Sequence, residues 1–412
     1  MAGQIEGSRA VAKAVASCRP DLICGCQGTV PGSIMAALAG QTRRGALARY
    51  GIVDTDSEAA AIAAALRAAG SGARAYTAAA SQGLLQASEA VFNAAGLGLP
   101  VVMTAVTQPD ATGASSWDDH SDAMSQRDSG WVQLYAETIQ EAADLHIQAF
   151  RIAEALSVPV MVCVNGSLLT GATGPAGIAD QDRVDAFLPR RVPGAAGPVP
   201  LGRASDPEAF TEVRYLTHAR QLRALGLIPG VAAEFREVFG RESGGLVRPY
   251  RLDGARTIVV ALSSALGTIK EAVDGLRAHG MRIGALGITS YRPFPLLAVR
   301  QHLAGARQLV VVERALAPGI GGVLASDIQS ALRQVPVPVS TVIAGLGGRQ
   351  VSVASLREAL ADADEGALEP VTFLGLNTAL VERELHRGQP VRHPVPAARN
   401  FPAPPRLTMA GI

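Results

Sequence analysis

The chain has little charge of either sign and no long hydrophobic run. Of its 412 residues 18% are charged, and the formal net charge is +1 at pH 7. This balance excludes the basic stripe that binds nucleic acid and the polybasic arm that binds a membrane surface. No apolar run approaches the roughly 18 residues that a membrane-spanning helix needs, and the first residues, MAGQIEGSRAVAKAV, lack a signal-peptide pattern. We therefore expect a cytoplasmic protein with neither a nucleic-acid nor a membrane partner.

Cysteines are few, and none of the spacings that hold a metal is present. Cys18, Cys24, Cys26 and Cys163 form neither a CxxC pair nor the CxxCxxC run of iron–sulfur proteins. Cys24 and Cys26 would share one face of a strand, so a metal or disulfide role stays open beside the simpler role of buried apolar side chains. A P-loop and a strand–GxGxxG–helix fingerprint are also missing. Of the two roles open to Cys24 and Cys26 we expect the buried structural one, and hence no metal site in this chain.

Apolar strand-like runs alternate with alanine-rich helical stretches along most of the chain. The hydrophobic content of 48% is ample for more than one core. The alternation predicts an α/β fold of two doubly wound parallel-sheet domains, with helices on both faces of each sheet. We predict an α/β domain over residues 1–170, a connector with a helical segment over 171–256, a second α/β domain over 257–365 and a proline-rich tail over 366–412.

One acidic residue begins a helix that is otherwise built of small apolar side chains. Glu58 lies in the segment VDTDSEAAAIAAAL, just after Asp54 and Asp56. A carboxyl group in apolar surroundings has a raised pKa and can share a proton with a ring nitrogen at neutral pH. The alternative is a first-turn carboxylate that the helix dipole stabilises. From the residues alone, both roles stay open.

The turn SQG follows the next predicted strand. Ser81, Gln82 and Gly83 lie between that strand and a helix, at the edge of the sheet where α/β proteins bind ligands. They are candidates to line a cofactor pocket. The simpler alternative has Ser81 as the N-cap of the following helix.

A polar loop farther along carries Asp119, His120, Ser121 and Asp122 in succession. Aspartate and histidine are common metal ligands. Adjacent residues make an awkward ligand set, however, so we favour a hydrogen-bond network here. His120 stands where proton transfer is chemically reasonable, and a buried structural histidine explains it equally well.

Several long motifs are similar to those of a known family. The segment SQG with its helix, followed by W-x-D-H-S-D-x-M-x-x-R-D-x-G-W-x-Q-L-Y-A-E, resembles the α subunit of the 2-oxoacid:ferredoxin oxidoreductases, thiamine-diphosphate enzymes of the pyruvate:ferredoxin oxidoreductase type. The resemblance continues through GRESGGLVRPYRL, ITSYRPFP, ERALAPGIGG, AGLGGR and FLGLN, and so covers nearly the whole chain. It implies that the first domain binds the thiamine aminopyrimidine ring and that the second is similar to the carboxyl-terminal domain of transketolase.

The resemblance also implies roles for the candidate residues. The final acidic residue of the family's Q/E-S-E segment matches Glu58, whose carboxyl would bond to the aminopyrimidine ring and favour the tautomer that activates the thiazolium. Glu58 is therefore the expected catalytic residue. Together with Glu58, Ser81, Gln82 and Gly83 would bind the cofactor.

Two departures from the family pattern concern the substrate. The threonine that contacts the oxoacid in the family's Y-P-I-T-P-S-T loop is replaced by Val30, and no arginine follows the strand in AVTQPDATGASS to pair with a substrate carboxylate. The predicted substrate pocket consists of Thr29, Val30, Thr107, Gln108, Asp119 and His120. This less polar pocket predicts a substrate other than pyruvate, such as the aryl oxoacid phenylglyoxylate.

Half of a thiamine site is missing from this chain. The family holds the diphosphate through Mg²⁺ with a GDG motif, and no GDG occurs here. The resemblance implies a β subunit with the Mg²⁺–diphosphate site, together with ferredoxin-like iron–sulfur and γ subunits. The complex would convert a 2-oxoacid and coenzyme A to acyl-CoA and CO₂, passing two electrons to the clusters. Two alternatives stay open: a β subunit of a lipoamide-type 2-oxoacid dehydrogenase, and a non-catalytic interaction subunit.

Overall fold

A computed structural model of the protein describes residues 3–26, 32–43, 51–107, 119–170, 172–190 and 209–387. The strands are β1 (Gly3–Glu6), β2 (Leu22–Cys26), β3 (Gly51–Thr55), β4 (Ala75–Ala80), β5 (Val101–Thr107), β6 (Val132–Tyr135), β7 (Val160–Asn165), β8 (Thr173–Ala176), β9 (Val247–Tyr250), β10 (Thr257–Leu262), β11 (Ile283–Ile288), β12 (Ser290–Arg292), β13 (Gln308–Glu313), β14 (Val339–Ile343) and β15 (Val371–Phe373). The helices are α1 (Gly7–Ser17), α2 (Gly32–Arg43), α3 (Glu58–Gly70), α4 (Ser81–Gln86), α5 (Ser88–Leu97), α6 (Ser121–Ser125), α7 (Ile139–Leu156), α8 (Gly166–Leu169), α9 (Gln181–Phe187), α10 (Phe210–Phe239), α11 (Ala265–Ala278), α12 (Leu296–Leu303), α13 (Val323–Ala331), α14 (Val353–Glu365) and α15 (Thr378–Arg387).

The first sheet has seven strands in the order β12-β6-β7-β5-β4-β2-β3. All of its pairings are parallel except that of β12 with β6. Neighbouring side chains of β5 point to opposite faces: Val102 and Val106 pack with α1 and α7, whereas Val101 and Met103 pack with α3 and α5. The strands are buried on both faces because helices cover both, and their sequences are therefore continuously apolar.

The second sheet has six strands in the order β15-β14-β13-β10-β11-β9. Its pairings are parallel except that of β9 with β11. Helices α11 and α14 pack on one face, and α12 and α13 pack on the other. The α/β fold class with doubly wound parallel sheets is thus confirmed, and both sheets lie in one compact unit, Met1–Leu374.

The second sheet takes in more of the chain than the predicted range 257–365. Strand β9 comes from the predicted connector, and β15 comes from the predicted tail. Strand β12, in contrast, lies within the predicted range but does not belong to the second sheet. It follows β11 in sequence and pairs with β6 of the first sheet. All three are edge strands of three or four residues. Segments this short carry too few residues to show a strand pattern.

The connector carries the long helix α10, close to the prediction. It includes Pro229 in its interior and packs against α5, α7 and α9. Among the described residues, no helix combines the length and apolar character needed to cross a bilayer. The second compact unit is Gly375–Ile412, and within it the exposed helix α15 is described.

Candidate functional site

The strand order of the first sheet reverses between β2 and β4. Strand β2 pairs with β3 on one side and with β4 on the other. In doubly wound sheets, ligands bind at the carboxyl edge where the order reverses. The segments that follow β3 and β4 at this edge carry Glu58 and Ser81. The topology therefore favours this crevice as the binding site, independently of any motif.

Glu58 is buried at the start of α3, with 6% of its surface exposed. The helix begins there because the Ser57 hydroxyl accepts a hydrogen bond from the Ala60 N–H at 3.1 Å. Oε2 of Glu58 accepts a hydrogen bond of 2.8 Å from the peptide N–H of Ala80, the last residue of β4. The carboxyl is thus fixed between the ends of two elements that meet at the crevice.

Gly83 lies against the same carboxyl group. A β-carbon at this position would be 1.8 Å from Oε2 and 2.5 Å from Cδ of Glu58. Only glycine fits such a close approach. The turn predicted to line the pocket therefore contacts the predicted catalytic residue directly.

The other two residues of the SQG turn differ in exposure. Ser81 is 5% exposed, and Gln82 is exposed on the surface of this chain. The N-cap role considered for Ser81 is wrong, because α4 begins at Ser81 itself and Ala80 occupies the cap position without a capping side chain. The Ser81 side chain lies near a carboxyl of the polar loop, Asp122, where it favours the ionised form and so opposes the rise that burial causes in the pKa of that group.

Half of the predicted substrate pocket, namely Thr29, Val30 and Gln108, lies outside the described residues. Thr107 is the last residue of β5 and is 1% exposed. Its Oγ1 is one of the buried polar atoms for which the described part of the structure offers no hydrogen-bond partner. Thr107 thus lies at the carboxyl end of its strand with a buried hydroxyl.

Asp119 and His120 are both buried beside this edge. Oδ1 of Asp119 accepts a hydrogen bond of 2.9 Å from the Ser121 N–H. The peptide N–H of His120 donates to the carbonyl of Arg314, 2.8 Å away. The His120 ring contacts the Tyr135 ring edge-on, with 5.4 Å between the ring centroids. Burial, together with the nearby Arg314, lowers the pKa of His120 to about 3. His120 is therefore neutral at physiological pH, which leaves it poorly suited to act as a general acid.

Asp122 is a further buried carboxyl of the same polar loop. It lies in α6, is 4% exposed, and its Oδ1 accepts a hydrogen bond of 2.6 Å from the Ala123 N–H. Burial raises its pKa to about 7, and the charge of Asp119 adds to the effect. No motif distinguished it from the other polar residues of its loop, because its burial depends on the packing of α6 against α4.

The four cysteines are buried free thiols. Burial raises the pKa of Cys24 to about 11 and raises that of Cys18 and Cys163 further. A thiol with such a pKa is a poor nucleophile and a poor metal ligand. Within the described ranges, no group of three or more His, Cys, Asp or Glu side chains is placed to hold a metal ion.

Two protein-family models match this chain, one in each half. The model described as pyruvate flavodoxin/ferredoxin oxidoreductase, thiamine diP-bdg, matches residues 30–233, and that of pyruvate:ferredoxin oxidoreductase core domain II matches residues 255–356. Pyruvate synthase subunit PorA of Methanosarcina barkeri is 38% identical over 378 residues, which cover 90% of this chain and 94% of the relative. The chain belongs to the 2-oxoacid:ferredoxin oxidoreductases, as an α subunit.

Other relatives in this family agree. Pyruvate synthase subunit PorA of Thermotoga maritima is 36% identical, with 90% of this chain and 97% of the relative covered. Ketoisovalerate oxidoreductase subunit VorA of Pyrococcus abyssi is 33% identical, with 86% and 91% covered. The resemblance found in the motifs is thus confirmed, and the chain is a subunit of a thiamine-diphosphate-dependent 2-oxoacid:ferredoxin oxidoreductase.

Solved structures confirm the fold. The 2-oxoglutarate:ferredoxin oxidoreductase from Magnetococcus marinus has a TM-score of 0.63 and 15% identity, and the match covers 88% of this chain and 65% of that chain. A split-gene transketolase has a TM-score of 0.54 and 15% identity, with 88% and 98% covered. At this identity the likeness concerns the architecture alone.

Proposed function

We propose that this chain supplies the aminopyrimidine half of a thiamine-diphosphate site and that Glu58 is its catalytic residue. The observation that carries the proposal is the buried Glu58 carboxyl, which the Ala80 N–H holds at the switch point of the first sheet. The thiamine-binding family model spans this residue, since it matches residues 30–233. A carboxyl held in this way can bond to a ring nitrogen and control its proton.

The residues at the crevice fit the cofactor. Glu58 offers a carboxyl whose Oε2 is held by the Ala80 N–H, and Gly83 leaves backbone in contact with that carboxyl instead of a side chain. When bound, thiamine diphosphate supplies the electron sink for decarboxylation of the 2-oxoacid. Glu58 would hold the proton at the aminopyrimidine nitrogen, while Ser81, Gln82 and Gly83 would line the ring.

We propose that partner subunits complete the enzyme. The chain has no GDG motif, and its four cysteines do not have iron–sulfur spacing. A β subunit would carry the Mg²⁺–diphosphate site, and iron–sulfur and γ subunits would take the electrons. The naming of the relatives as subunits supports this. The Magnetococcus marinus structure has coenzyme A bound. Coenzyme A is accordingly the proposed acyl acceptor, in place of the lipoyl group of the lipoamide-type alternative.

The proposed substrate is a small-molecule 2-oxoacid. The relatives are named for pyruvate and ketoisovalerate, which favours an aliphatic acid. Val30 and the missing arginine favour a larger acid such as phenylglyoxylate. Turnover of pyruvate, 2-oxoisovalerate, 2-oxoglutarate and phenylglyoxylate by the assembled complex, with a dye as electron acceptor, decides between them. A clear preference for pyruvate would remove the aryl hypothesis.

Substitution of Glu58 tests the catalytic assignment. In the complex, Glu58→Gln is expected to lower kcat at least about 100-fold, the usual contribution of positioned acid–base catalysis. Glu141→Gln is the matched control, because Glu141 is also a buried glutamate in the first turn of a helix. This control is expected to retain turnover. Near-normal activity of Glu58→Gln in a correctly assembled complex would contradict the assignment.

A further inference from the structure

The second sheet has a switch point of its own. Leaving aside the antiparallel edge strand β9, its order is β11-β10-β13-β14-β15, so β10 pairs with β11 on one side and with β13 on the other. In sheets of this order, ligands bind at the carboxyl edge between the first strand and the third. Those strands are β10 and β13 here. The topology thus provides a second edge for a ligand, separate from the crevice that holds Glu58.

A cavity of about 250 Å³ lies at this edge. Ser264, two residues after the end of β10, lines it together with Arg314 and Ala344, which directly follow β13 and β14. Pockets for drug-sized ligands have volumes of roughly 300–1,000 Å³. A ligand of this smaller cavity must therefore be compact.

Arginine is the charged residue type in the lining of this cavity. Arg314 and Arg349 both line it, whereas no aspartate or glutamate belongs to the lining residues that the structure describes. The hydroxyl groups of Ser264 and Thr268 add hydrogen-bond donors to the lining. A guanidinium matches the geometry of a phosphate and can bind it through two N–H groups. Two arginines on one small cavity favour a phosphate monoester, which carries a charge of about −1.5 to −2 at pH 7, over a singly charged carboxylate.

A glycine-rich turn places both arginines at the cavity. This turn is the AGLGGR motif, which begins directly after β14. Gly345, Gly347 and Gly348 have positive φ angles of 77°, 62° and 79°, a conformation that glycine adopts without strain. Nη2 of Arg314 donates a hydrogen bond of 3.5 Å to the Gly345 carbonyl. The turn thus holds the Arg314 guanidinium beside Gly345 and ends in Arg349.

The inner part of the cavity is apolar. Ile269, Val312, Ala344 and Leu356 line it and are each at most 2% exposed, whereas Arg349 is exposed. A ligand gains affinity by placing apolar surface against such side chains, away from water. A bound molecule would therefore direct an apolar body inward and its anionic group toward the arginines.

We propose that this cavity binds a small phosphate monoester with a compact apolar body, whose phosphate is held by Arg314 and Arg349. The cavity lies outside the residues assigned to the thiamine half-site, so this site does not rest on the proposed function. It would let the chain bind a phosphorylated small molecule in addition to the oxoacid.

Phenyl phosphate is a suitable probe, because it combines a benzene ring with a phosphate monoester. Its affinity can be measured by calorimetry on the assembled complex, saturated beforehand with thiamine diphosphate and Mg²⁺ so that the diphosphate site is occupied. We expect it to bind about ten-fold more tightly than inorganic phosphate, which has no apolar body, and than benzoate, which has a single charge.

Three results with these probes would overturn the proposal. The first is the absence of phenyl phosphate binding. The second is equal or tighter binding of inorganic phosphate, which would assign the cavity to free phosphate. The third is equal or tighter binding of benzoate, which would assign it to a carboxylate.

Substitution of the arginines locates the binding. Arg314→Gln and Arg349→Gln each remove one guanidinium and are each expected to weaken phenyl phosphate binding about ten-fold, the effect of losing a charge-assisted hydrogen bond. Arg307→Gln is the matched control. Arg307 is an exposed arginine that directly precedes β13, so it lies at the opposite end of the strand that Arg314 follows. This variant is expected to bind within about two-fold of wild type.

Unchanged affinity in either cavity variant would overturn the proposal, and so would an equal loss in Arg307→Gln. If Arg314→Gln does not assemble, Arg349→Gln decides, because the side chain of Arg349 is exposed. Failure of this site is distinguishable from failure of the proposed function. A complex that binds phenyl phosphate but not thiamine diphosphate would remove the role of Glu58 and keep the cavity site. A complex that binds thiamine diphosphate but not phenyl phosphate would remove only the cavity site.

Discussion

Gly83 and Glu58 are in direct contact, with no room for a side chain between the turn and the carboxyl. A Cβ at residue 83 would overlap Oε2 of Glu58 at 1.8 Å. The contact joins the start of α4 to the start of α3 across the crevice. The conformation of one turn therefore determines the position of the proposed catalytic group.

Gly83→Ala should consequently impair catalysis more than folding. To relieve the overlap, either the carboxyl or the turn must shift by about 1 Å, a displacement that can cost about 100-fold in rate. Gly96→Ala is the control, because a Cβ there meets its nearest neighbour, a methyl of Val213, at an ordinary 3.6 Å. We expect unchanged kcat in Gly96→Ala and a large loss in Gly83→Ala, measured on complexes of equal subunit content. Full activity of Gly83→Ala would show that Glu58 does not need this position.

A buried hydrogen-bonded chain of three side chains should make the fold sensitive to acid. Tyr76 Oη and Thr104 Oγ1 are 2.6 Å apart, as are Thr104 Oγ1 and Nε2 of His146. Nδ1 of His146 lies 2.6 Å from the carbonyl of Ala142, so Nδ1 carries the proton and Nε2 accepts from Thr104. Burial lowers the pKa of His146 to about 4. The histidine is therefore neutral in the folded protein.

The sign of the pH effect follows from this depressed pKa. An unfolded histidine takes up its proton near pH 6.5, whereas His146 in the fold does so only near its own pKa of about 4. The stability contributed by neutral His146 is thus complete above pH 6.5 and is lost as the pH falls below it. Between pH 7 and pH 5 the loss should be about 2 kcal/mol. Urea unfolding at the two pH values should show a smaller change for His146→Gln than for wild type. The exposed His279 provides the control, since His279→Gln should leave the wild-type difference intact.

The pair Arg241–Asp144 should contribute strongly to stability. Nε and Nη2 of Arg241 donate to the two carboxylate oxygens of Asp144 at 2.9 and 2.6 Å, and the Asp144 side chain is only 1% exposed. The guanidinium also lies over Phe235 and Phe239. Arg241→Ala would leave a buried carboxylate without its partner, which typically costs about 3 kcal/mol or more.

A surface pair offers the comparison for that substitution. Arg236 and Glu242 are 3.4 Å apart, and their side chains are 58% and 83% exposed. Arg236→Ala should therefore change the free energy of unfolding by less than about 1 kcal/mol. Similar losses in the two arginine variants, measured by denaturant unfolding, would show that the Asp144 pair is not the stronger of the two.

The long buried strands and their helices could be predicted because their patterns are local. The runs at β5 and β7 are continuously apolar, and the sequence pattern predicts a helix over Ile139–Leu156, the same ends that α7 has in the structure. For Gly83–Ala95 the same kind of pattern predicts one helix, whereas the structure has two helices, α4 and α5, which meet at Ala87. The break depends on how the turn packs, which the helix-favouring residues of this stretch do not indicate.

The candidate site could be predicted in part for the same reason. Glu58 stands out because it is acidic within an apolar segment. The SQG turn stands out because it separates a strand pattern from a helix pattern. Asp122 does not stand out, because its burial depends on the packing of α6 against α4, a helix that begins about 40 positions earlier in the sequence. Strand β12 was missed for a similar reason: its partner β6 lies more than 150 residues earlier in the chain.

That pairing of β12 with β6 has a consequence for biosynthesis. The first sheet gains its outermost strand only when Ser290–Arg292 has left the ribosome, long after its other strands have been made. Until then the backbone of β6 is an unpaired edge on the nascent protein, open to mispairing with other chains. A gene fragment that ends before residue 290 would leave this edge permanently exposed, so the two sheets are best expressed as a single polypeptide.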